Sequence, residues 1–266
     1  MHSARLGGLL SVVDSDDVQI GRVLSRREVL ALMGGAALLA ACEPVGPAGT
    51  ATPAASPAGA SPVATSPGAT PTKGSLALPA CVVRPEQSEG PFFVDEGLER
   101  SDIRTDPASG AVSQGAPLAL SFNVLRVSGI ACTPLAAAIV DVWQCDAAGV
   151  YSDVTGNSQK FLRGHQITDA TGRASFTTIY PGWYGGRAVH IHFKIRSGSE
   201  EFTSQLYFDD AMSDTVFQQQ PYAARGQRAT RNANDGLFRN GGADLLLQVT
   251  PSAPGYSATF DIGVAV

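Results

Sequence analysis

The sequence predicts an all-β protein built as an antiparallel β-sandwich, and three observations support this prediction. Several segments alternate apolar and polar residues with a period of two, as strands buried on one face do. Gly and Pro are abundant, with 29 and 17 among 266 residues, whereas aromatic residues make up only 7%. No long stretch shows a convincing apolar period of 3.6 residues, which a helix would require. Several such strands in one domain favour a sandwich.

The first 41 residues are interpreted as an export signal. Arg26 and Arg27 precede the apolar run 29–41, in the order found in twin-arginine leaders. This run is shorter than the roughly 20 apolar residues that a membrane-spanning helix needs. It ends in Leu-Ala-Ala-Cys, which is similar to a bacterial lipobox, so we expect Cys42 to be lipidated and the protein to be anchored to the cell envelope, outside the cytoplasm. A buried helix followed by a chance cysteine is the alternative.

The segment 42–79 consists almost entirely of Pro, Ala, Ser, Thr and Gly. Such a composition cannot bury enough apolar surface to offset the entropy lost on ordering, so we expect a disordered tether. Residues 80–266 are expected to form the folded domain. The chain carries a formal net charge of -5, and this mild acidity argues against binding to nucleic acid.

Alternation predicts the strands 118–124, 189–195 and 256–264 of this domain, and four shorter runs also suit strands. The predicted strands are 118–124, 139–144, 174–179, 189–195, 202–208, 243–249 and 256–264. The sequence Asp-Ala-Thr-Gly at 169–172 predicts a turn between two of them.

Two of the four histidines, His190 and His192, lie on one predicted strand. Side chains two residues apart on a strand point to the same face, so both imidazoles can bind one metal ion. Imidazole suits iron, copper and zinc alike. A half-exposed strand with two chance histidines is the alternative. The four cysteines form no CxxC pair, so a thiolate zinc site is not indicated.

Tyrosines in two nearby segments favour one metal over the others. Tyr151 follows a predicted strand on a turn, and Tyr184 ends the sequence Tyr-Pro-Gly-Trp-Tyr shortly before His190. Two phenolates with two imidazoles form a hard, anionic donor set, which favours iron(III) over iron(II) or zinc. Tyr180, which begins the same sequence, is the rival for the second tyrosine.

With these residues in view, the sequence resembles the intradiol ring-cleavage dioxygenases, the family of protocatechuate 3,4-dioxygenase and catechol 1,2-dioxygenase. The resemblance is carried by the ordered segments 84–93, 100–104, 140–152, 176–193 and 203–208. It implies a sandwich with long active-site loops. It also implies a non-haem iron(III) enzyme that uses O2 to cleave catechol-type aromatics between the two hydroxyl-bearing carbons, giving muconate-type diacids.

The resemblance also implies roles for individual residues. The positions that match the family's iron ligands are Tyr151, Tyr184, His190 and His192. The positions implied to act in catalysis are Arg187, which matches the active-site arginine, Gln205, which matches a glutamine near the iron, and Tyr184, the tyrosinate that leaves the metal. Trp143 and Trp183 are expected to pack or to line the pocket, and His165 to be structural.

Two other functions stay open at this point. One is a non-catalytic β-sandwich lipoprotein that binds a ligand and keeps a vestigial metal site. The other is a copper or zinc enzyme that uses the histidine pair. The catechol that serves as substrate and the oligomeric state do not follow from the sequence.

The remaining cysteines allow one disulfide. Cys132 and Cys145 form a poor pair, because an extended strand from residue 139 onward would carry Cys145 away from the turn near Cys132. A disulfide needs Cα atoms within about 7 Å. We therefore predict a bond between Cys81 and Cys132, with Cys145 a free and buried thiol.

Overall fold

A computed structural model describes residues 81–154 and 156–266. The export signal at 1–41, the lipidation site Cys42 and the tether at 42–79 lie outside the described residues. Among the described residues, no helix is both long enough and apolar enough to cross a membrane.

The described residues form two β-sheets with a few short helical segments. The strands are β1 Pro117–Ser128, β2 Ala131–Pro134, β3 Ile139–Trp143, β4 Arg163–Ile167, β5 Arg173–Ile179, β6 His190–Ser197, β7 Glu200–Tyr207, β8 Val249–Ser252 and β9 Gly255–Val264. The helices are α1 Asp210–Val216 and α2 Gly236–Arg239, and 3-10 turns occur at Tyr222–Arg225, Asn232–Asn234 and Gly242–Leu245. One sheet has the order β2-β1-β9-β8, with β5 also paired to β1, and the other has the order β4-β3-β6-β7.

The hydrophobic core lies between these sheets. The alternating apolar residues of β1 point into it, and all four from Leu118 to Val124 are fully buried. Phe122 of β1 contacts Phe193 of the other sheet at a ring-centroid distance of 5.3 Å, and Phe260 of β9 at 6.1 Å. Aromatic rings at such separations contribute beyond the area they bury. The predicted β-sandwich is confirmed.

Several details of the sheets differ from the sequence-based expectation. β1 and β9 pair in parallel, from Leu118 opposite Tyr256 to Arg126 opposite Val264. The predicted strand 243–249 is wrong, because Gly242–Leu245 is a 3-10 turn and β8 begins only at Val249. β2 and β4 were not predicted, since β4 reads Arg-Gly-His-Gln-Ile and lacks apolar alternation. β6 was expected to keep one polar face, but every residue from His190 to Ile195 is buried.

The disulfide prediction is confirmed. Cys81 and Cys132 are bonded, with their Cα atoms 5.9 Å apart, whereas Cys145 is free and buried. After Cys81 the chain runs along the edge strands as an extended segment, residues 82–106, here called the N-terminal arm. Its backbone bonds to four strands. Gln87 N donates to Thr203 O, Arg100 N to His165 O and Ile103 N to Thr177 O, and Val82 O accepts from Gly263 N of β9. The arm therefore packs on both sheets.

Candidate metal centre

Four side chains from three separate segments meet at one point. The Nε2 atom of His190 lies 3.1 Å from Nε2 of His192, 3.1 Å from Oη of Tyr184 and 3.4 Å from Oη of Tyr151. Tyr151 is 4% exposed, His190 2% and His192 0%. The structure thus brings together all four residues that the sequence suggested as metal ligands.

The position of Tyr151 follows from the turn after β3. Asp146 closes this turn by accepting hydrogen bonds from the backbone N–H groups of Ala148 and Val150, both at 2.8 Å. Beyond the turn, the guanidinium of Arg163 donates to Oγ of Ser152 at 3.0 Å and also to its carbonyl oxygen. The residue next to Tyr151 is therefore fixed to β4.

The position of Tyr184 depends on a glycine. Gly182 N donates to Asp146 O at 3.1 Å, and a Cβ atom at Gly182 would lie 2.4 Å from that same oxygen. Only glycine allows the two backbones to approach so closely. This contact holds the loop that carries Tyr184 against the turn that precedes Tyr151.

Tyr180, the rival to Tyr184, lies elsewhere. Its hydroxyl is 2.8 Å from Oγ of Ser213, and its ring packs on Phe208 at 4.4 Å. Burial raises the pKa of the Tyr180 phenol. Tyr180 is therefore a protonated core residue in this structure.

The two histidines have the protonation that a metal ligand needs. Burial, followed by the nearby charge of Arg187, lowers the pKa of His190 well below its usual range. Burial, followed by repulsion from His190, does the same to the pKa of His192. The Nδ1 atom of His190 lies 2.6 Å from Ala188 O, and because a carbonyl only accepts, Nδ1 carries the proton. The lone pair on Nε2 of a neutral His190 then faces the point where the two tyrosine oxygens and Nε2 of His192 meet.

The two phenol oxygens and two imidazole nitrogens are arranged as ligands of a metal ion more than as partners in a hydrogen-bond network. One lone pair on His190 Nε2 accepts one hydrogen bond, yet three nitrogen or oxygen atoms surround it at 3.1 to 3.4 Å. Ligands held at metal bonds of about 2.0–2.1 Å are separated by roughly 2.8 to 3.4 Å at right-angle or tetrahedral geometry. Among the described residues, no cluster of three or more His, Cys, Asp or Glu side chains could bind a metal. A centre at this point therefore needs the tyrosines.

Arg187 and Gln205 form a second polar group beside the histidines. The register of β6 and β7 places Gln205 opposite His192 and Tyr207 opposite His190. Nη2 of Arg187 donates to Oε1 of Gln205 at 2.5 Å and to Oη of Tyr207 at 3.3 Å. The side chain of Arg187 is only 1% exposed. A buried positive charge is thus held next to the four candidate ligands.

Aromatic rings enclose the candidate centre. Phe92 of the N-terminal arm stacks on Tyr151 at 4.2 Å and meets Tyr184 edge-on at 6.1 Å. Trp143 stacks on His192 at 5.0 Å with nearly parallel rings.

Trp183 lies under the guanidinium of Arg225 at 4.2 Å, and His165 lies on β4 opposite Asp141. The sequence did not single out Phe92, since one phenylalanine in a Gly-Pro-Phe-Phe sequence gives no sign of its partner.

Asp235 is the other residue that sequence reasoning missed. Its carboxylate is fully buried and forms an ion pair with Arg187, Oδ2 to Nε, at 3.0 Å. Its position before Gly-Leu-Phe-Arg is typical of a helix N-cap, and that pattern alone does not reveal the arginine partner.

Comparison with known proteins finds relatives that are all dioxygenases. A family model described as Dioxygenase matches residues 88–237. Catechol 1,2-dioxygenase 2 of Acinetobacter lwoffii is 31% identical over 150 residues, covering 47% of this chain and 51% of that protein. The protocatechuate 3,4-dioxygenase beta chain of Burkholderia cepacia is 33% identical over 149 residues, covering 49% and 63% respectively. The chain therefore spans about half to somewhat under two thirds of these curated relatives.

A solved structure is similar over a larger share of the chain. The intradiol ring-cleavage dioxygenase from Tetranychus urticae is 28% identical and superposes with a TM-score of 0.62, covering 70% of this chain and 95% of that one. The shared region thus includes most of the residues that the structure describes.

Proposed function

The chain belongs to the family of intradiol ring-cleavage dioxygenases, and from this premise we propose that it is a non-haem iron(III) enzyme. Its substrates are catechol-type aromatics and O2, and its products are muconate-type diacids. The observation that carries this proposal is the meeting of two phenol oxygens and two imidazole nitrogens at His190 Nε2. The names of the relatives support a catechol as the substrate class.

The iron would be held by Tyr151, Tyr184, His190 and His192. Bound there, iron(III) supplies the Lewis acidity that lowers the pKa of both catechol hydroxyls and draws electron density from the ring, which makes the ring reactive toward O2. The remaining steps depend on the protein's own side chains.

We assign the uptake of one substrate proton to Oη of Tyr184. Tyr151 is almost fully buried and lies under Phe92, whereas Tyr184 is only partly buried and is followed by two exposed glycines. Tyr184 is thus the tyrosine with room to move away from the centre. This asymmetry supports the role that the family resemblance implies for it.

Arg187 provides a fixed positive charge for the reaction. A buried cation stabilises the negative charge that develops on the substrate, and it acts more strongly where water is excluded. Gln205 keeps the guanidinium in place by accepting its hydrogen bond and donates in turn to Ser88 O at 2.9 Å. Phe92 and Trp143 exclude water by covering one tyrosine and one histidine.

Visible absorption and O2 uptake test this proposal together. Iron-loaded protein should be red-brown through charge transfer from tyrosinate to iron(III), and it should consume O2 when catechol or protocatechuate is added. A zinc protein or a protein with an empty site would be colourless, and copper(II) would absorb at other wavelengths. A coloured protein that consumes no O2 with any catechol would instead support the non-catalytic alternative.

We also propose that the domain is exported by the twin-arginine route and anchored through a lipidated Cys42. The support is the order of arginine pair, apolar run and Leu-Ala-Ala-Cys sequence. Cys42→Ser should move the protein from the membrane fraction to the soluble fraction, because a diacylated or triacylated cysteine anchors stably. Membrane attachment of a Cys42→Ser protein whose signal has been cleaved would contradict the lipobox.

A further inference from the structure

Asp235 uses both carboxylate oxygens inside the protein. Oδ1 accepts hydrogen bonds from Leu237 N at 2.8 Å and Phe238 N at 3.1 Å, which caps α2. Oδ2 accepts from Arg187 Nε at 3.0 Å and from Ala188 N at 2.8 Å. One oxygen thus serves the helix, and the other serves the segment that leads into β6.

Helix capping does not account for this arrangement. A cap needs one side-chain oxygen, and Asn caps as well as Asp. The negative charge of Asp235 is needed for Arg187, because a cation that is 1% exposed is costly unless an anion compensates it. The fully buried carboxylate therefore pairs with the arginine as well as starting α2.

The same oxygen also acts on a histidine. Asp235 Oδ2 fixes the N–H group of Ala188, and the carbonyl oxygen of Ala188 accepts from Nδ1 of His190 at 2.6 Å. Groups that bond the outer nitrogen of a ligand histidine set its tautomer and ring orientation. The geometry points to Asp235 as a positioning residue that holds the guanidinium of Arg187 and, through Ala188, the ring of His190. This inference rests on the proposed function of both residues.

The variant Asp235→Asn separates positioning from capping. Its amide oxygen can keep the cap of α2, while its amide N–H2 faces two N–H donors and repels them. We expect the iron-loaded variant to fold and to keep a charge-transfer band. Its kcat should fall about 10- to 100-fold, as for other groups just outside a metal site, with KM little changed, since Arg187 acts on charge that develops in the transition state.

Asp209→Asn is the matched control. Asp209 caps α1 in the same way, accepting from Ala211 N at 2.9 Å and Met212 N at 3.0 Å. It has no hydrogen bond to Arg187 or Ala188. Asp209→Asn should keep wild-type kcat and KM, which shows that the effect at Asp235 is not a general effect of altering a cap.

Nuclear magnetic resonance of the metal-free protein provides a readout that does not depend on activity. The buried Arg187 Nε–H and His190 Nδ1–H groups should give slowly exchanging signals, assigned by their loss in Arg187→Lys and His190→Gln. Both signals should shift or exchange faster in Asp235→Asn and stay unchanged in Asp209→Asn. Unchanged signals together with wild-type kcat in Asp235→Asn would overturn the inference.

Failure of the proposed function is distinguishable from failure of the inference. If wild-type protein cleaves no catechol, the proposed function fails, and the two signals alone decide whether Asp235 holds Arg187 and His190. If Asp235→Asn does not fold, Asp235→Glu replaces it, since it keeps the charge and moves the carboxylate by one methylene. We expect Asp235→Glu to lose more kcat than Asp209→Glu, and equal values for the two would overturn the inference.

Discussion

The two tyrosines at the candidate metal centre have different surroundings. Tyr151 is packed between Phe92 and the interior, while Tyr184 lies on a partly exposed loop, and both hydroxyls point to His190. Tyr180, four residues before Tyr184, bonds to Ser213 instead. Substitution of each tyrosine by phenylalanine, which removes one oxygen and keeps the ring, therefore tests the ligand assignment directly.

We predict three different outcomes for these substitutions. Tyr151→Phe should abolish bound iron or its colour, because a fixed anionic donor is lost. Tyr184→Phe should shift the visible band and strongly slow turnover, and Tyr180→Phe should leave the spectrum unchanged. Absorption spectra at equal iron content measure this. A native spectrum in Tyr184→Phe and a lost band in Tyr180→Phe would contradict the assignment.

A second prediction concerns the free thiol. Burial, with a smaller contribution from Asp146, raises the pKa of Cys145 to about 12 from its ordinary value of 9.0. The thiol thus stays protonated in the folded protein at pH 8, and thiolate is the reactive form. In a Cys42→Ser protein, a thiol reagent at pH 8 should label no cysteine when native and one after unfolding without reductant.

The pH dependence of stability from this group has a definite sign. Between pH 9 and 12 the thiol ionises in the unfolded chain and stays protonated in the folded one. The folded state then binds more protons, so this group's contribution to the free energy of unfolding falls as pH rises.

In the labelling experiment, rapid labelling of native protein at pH 8, or three labelled thiols after unfolding, would contradict the assigned burial and disulfide.

At the residue scale, some residues of the candidate site could be identified from the sequence and others could not. His190 and His192 could be found because a strand repeats every two residues, which places both rings on one face whatever the rest of the fold does. Asp235 could not be found, because its partner Arg187 lies 48 positions earlier. Only the folded chain brings that pair together.

The loop before Tyr184 and the turn before Tyr151 act as one unit. Gly182 joins them, since its backbone lies against the carbonyl oxygens of Asp146 and Ala147, where a Cβ atom would be 2.4 and 2.7 Å away. Side chains that do not fit force the backbone to shift, at a cost of about 1–3 kcal/mol. A change at Gly182 should therefore alter the distance between the two tyrosines.

We predict that Gly182→Ala weakens iron binding at least about 10-fold, the low end of what disturbing the surroundings of a metal site costs. Gly185→Ala is the control, because Gly185 follows Tyr184 directly and a Cβ there meets no atom within 4 Å. Iron affinity measured by competition with a chelator distinguishes the two variants. Equal affinities would show that the close approach at Gly182 does not set the site.

Element prediction succeeded where packing follows alternation. β1 and β9 bury alternate apolar residues over much of their length, and their sequences show this alternation. β4 has no core-facing apolar stripe, and the side chain of its Arg163 instead donates to Ser152 and to Phe92 O of the N-terminal arm. The 3-10 turn at Gly242–Leu245 buries Leu245, and its apolar residues were therefore interpreted as part of a strand.

On the scale of the whole domain, the disulfide closes a long loop. It joins residues separated by 51 positions, and the entropy that such a cross-link removes from the unfolded chain corresponds to about 4 kcal/mol at 25 °C. We predict that Cys81→Ser with Cys132→Ser lowers the free energy of unfolding by about 2–4 kcal/mol. Urea unfolding measures this.

The double variant also provides its own control. Reductant should destabilise the wild-type protein and leave the Cys81→Ser, Cys132→Ser variant unaffected, because no disulfide remains to be reduced. If the two proteins unfold at the same urea concentration without reductant, the cross-link does not contribute to stability.

The sandwich itself could be predicted because alternation, turns and composition all indicate the same fold. The path of the N-terminal arm could not, since residues 82–106 bond to strands that come much later in the chain. The parallel pairing of β1 and β9 likewise depends on the long connection between them and has no local signal.

The disulfide also determines how mechanical load enters the domain. Part of a pull on the chain before Cys81 passes through the sulfur atoms into β2 and from there into the neighbouring β1. The covalent bridge bypasses residues 82–131, so the arm that carries Phe92 onto Tyr151 bears only the remaining part of that tension. A force applied at the N-terminal side of the domain would thus be shared with the sheet, and the contact between the Phe92 and Tyr151 rings would carry less of it.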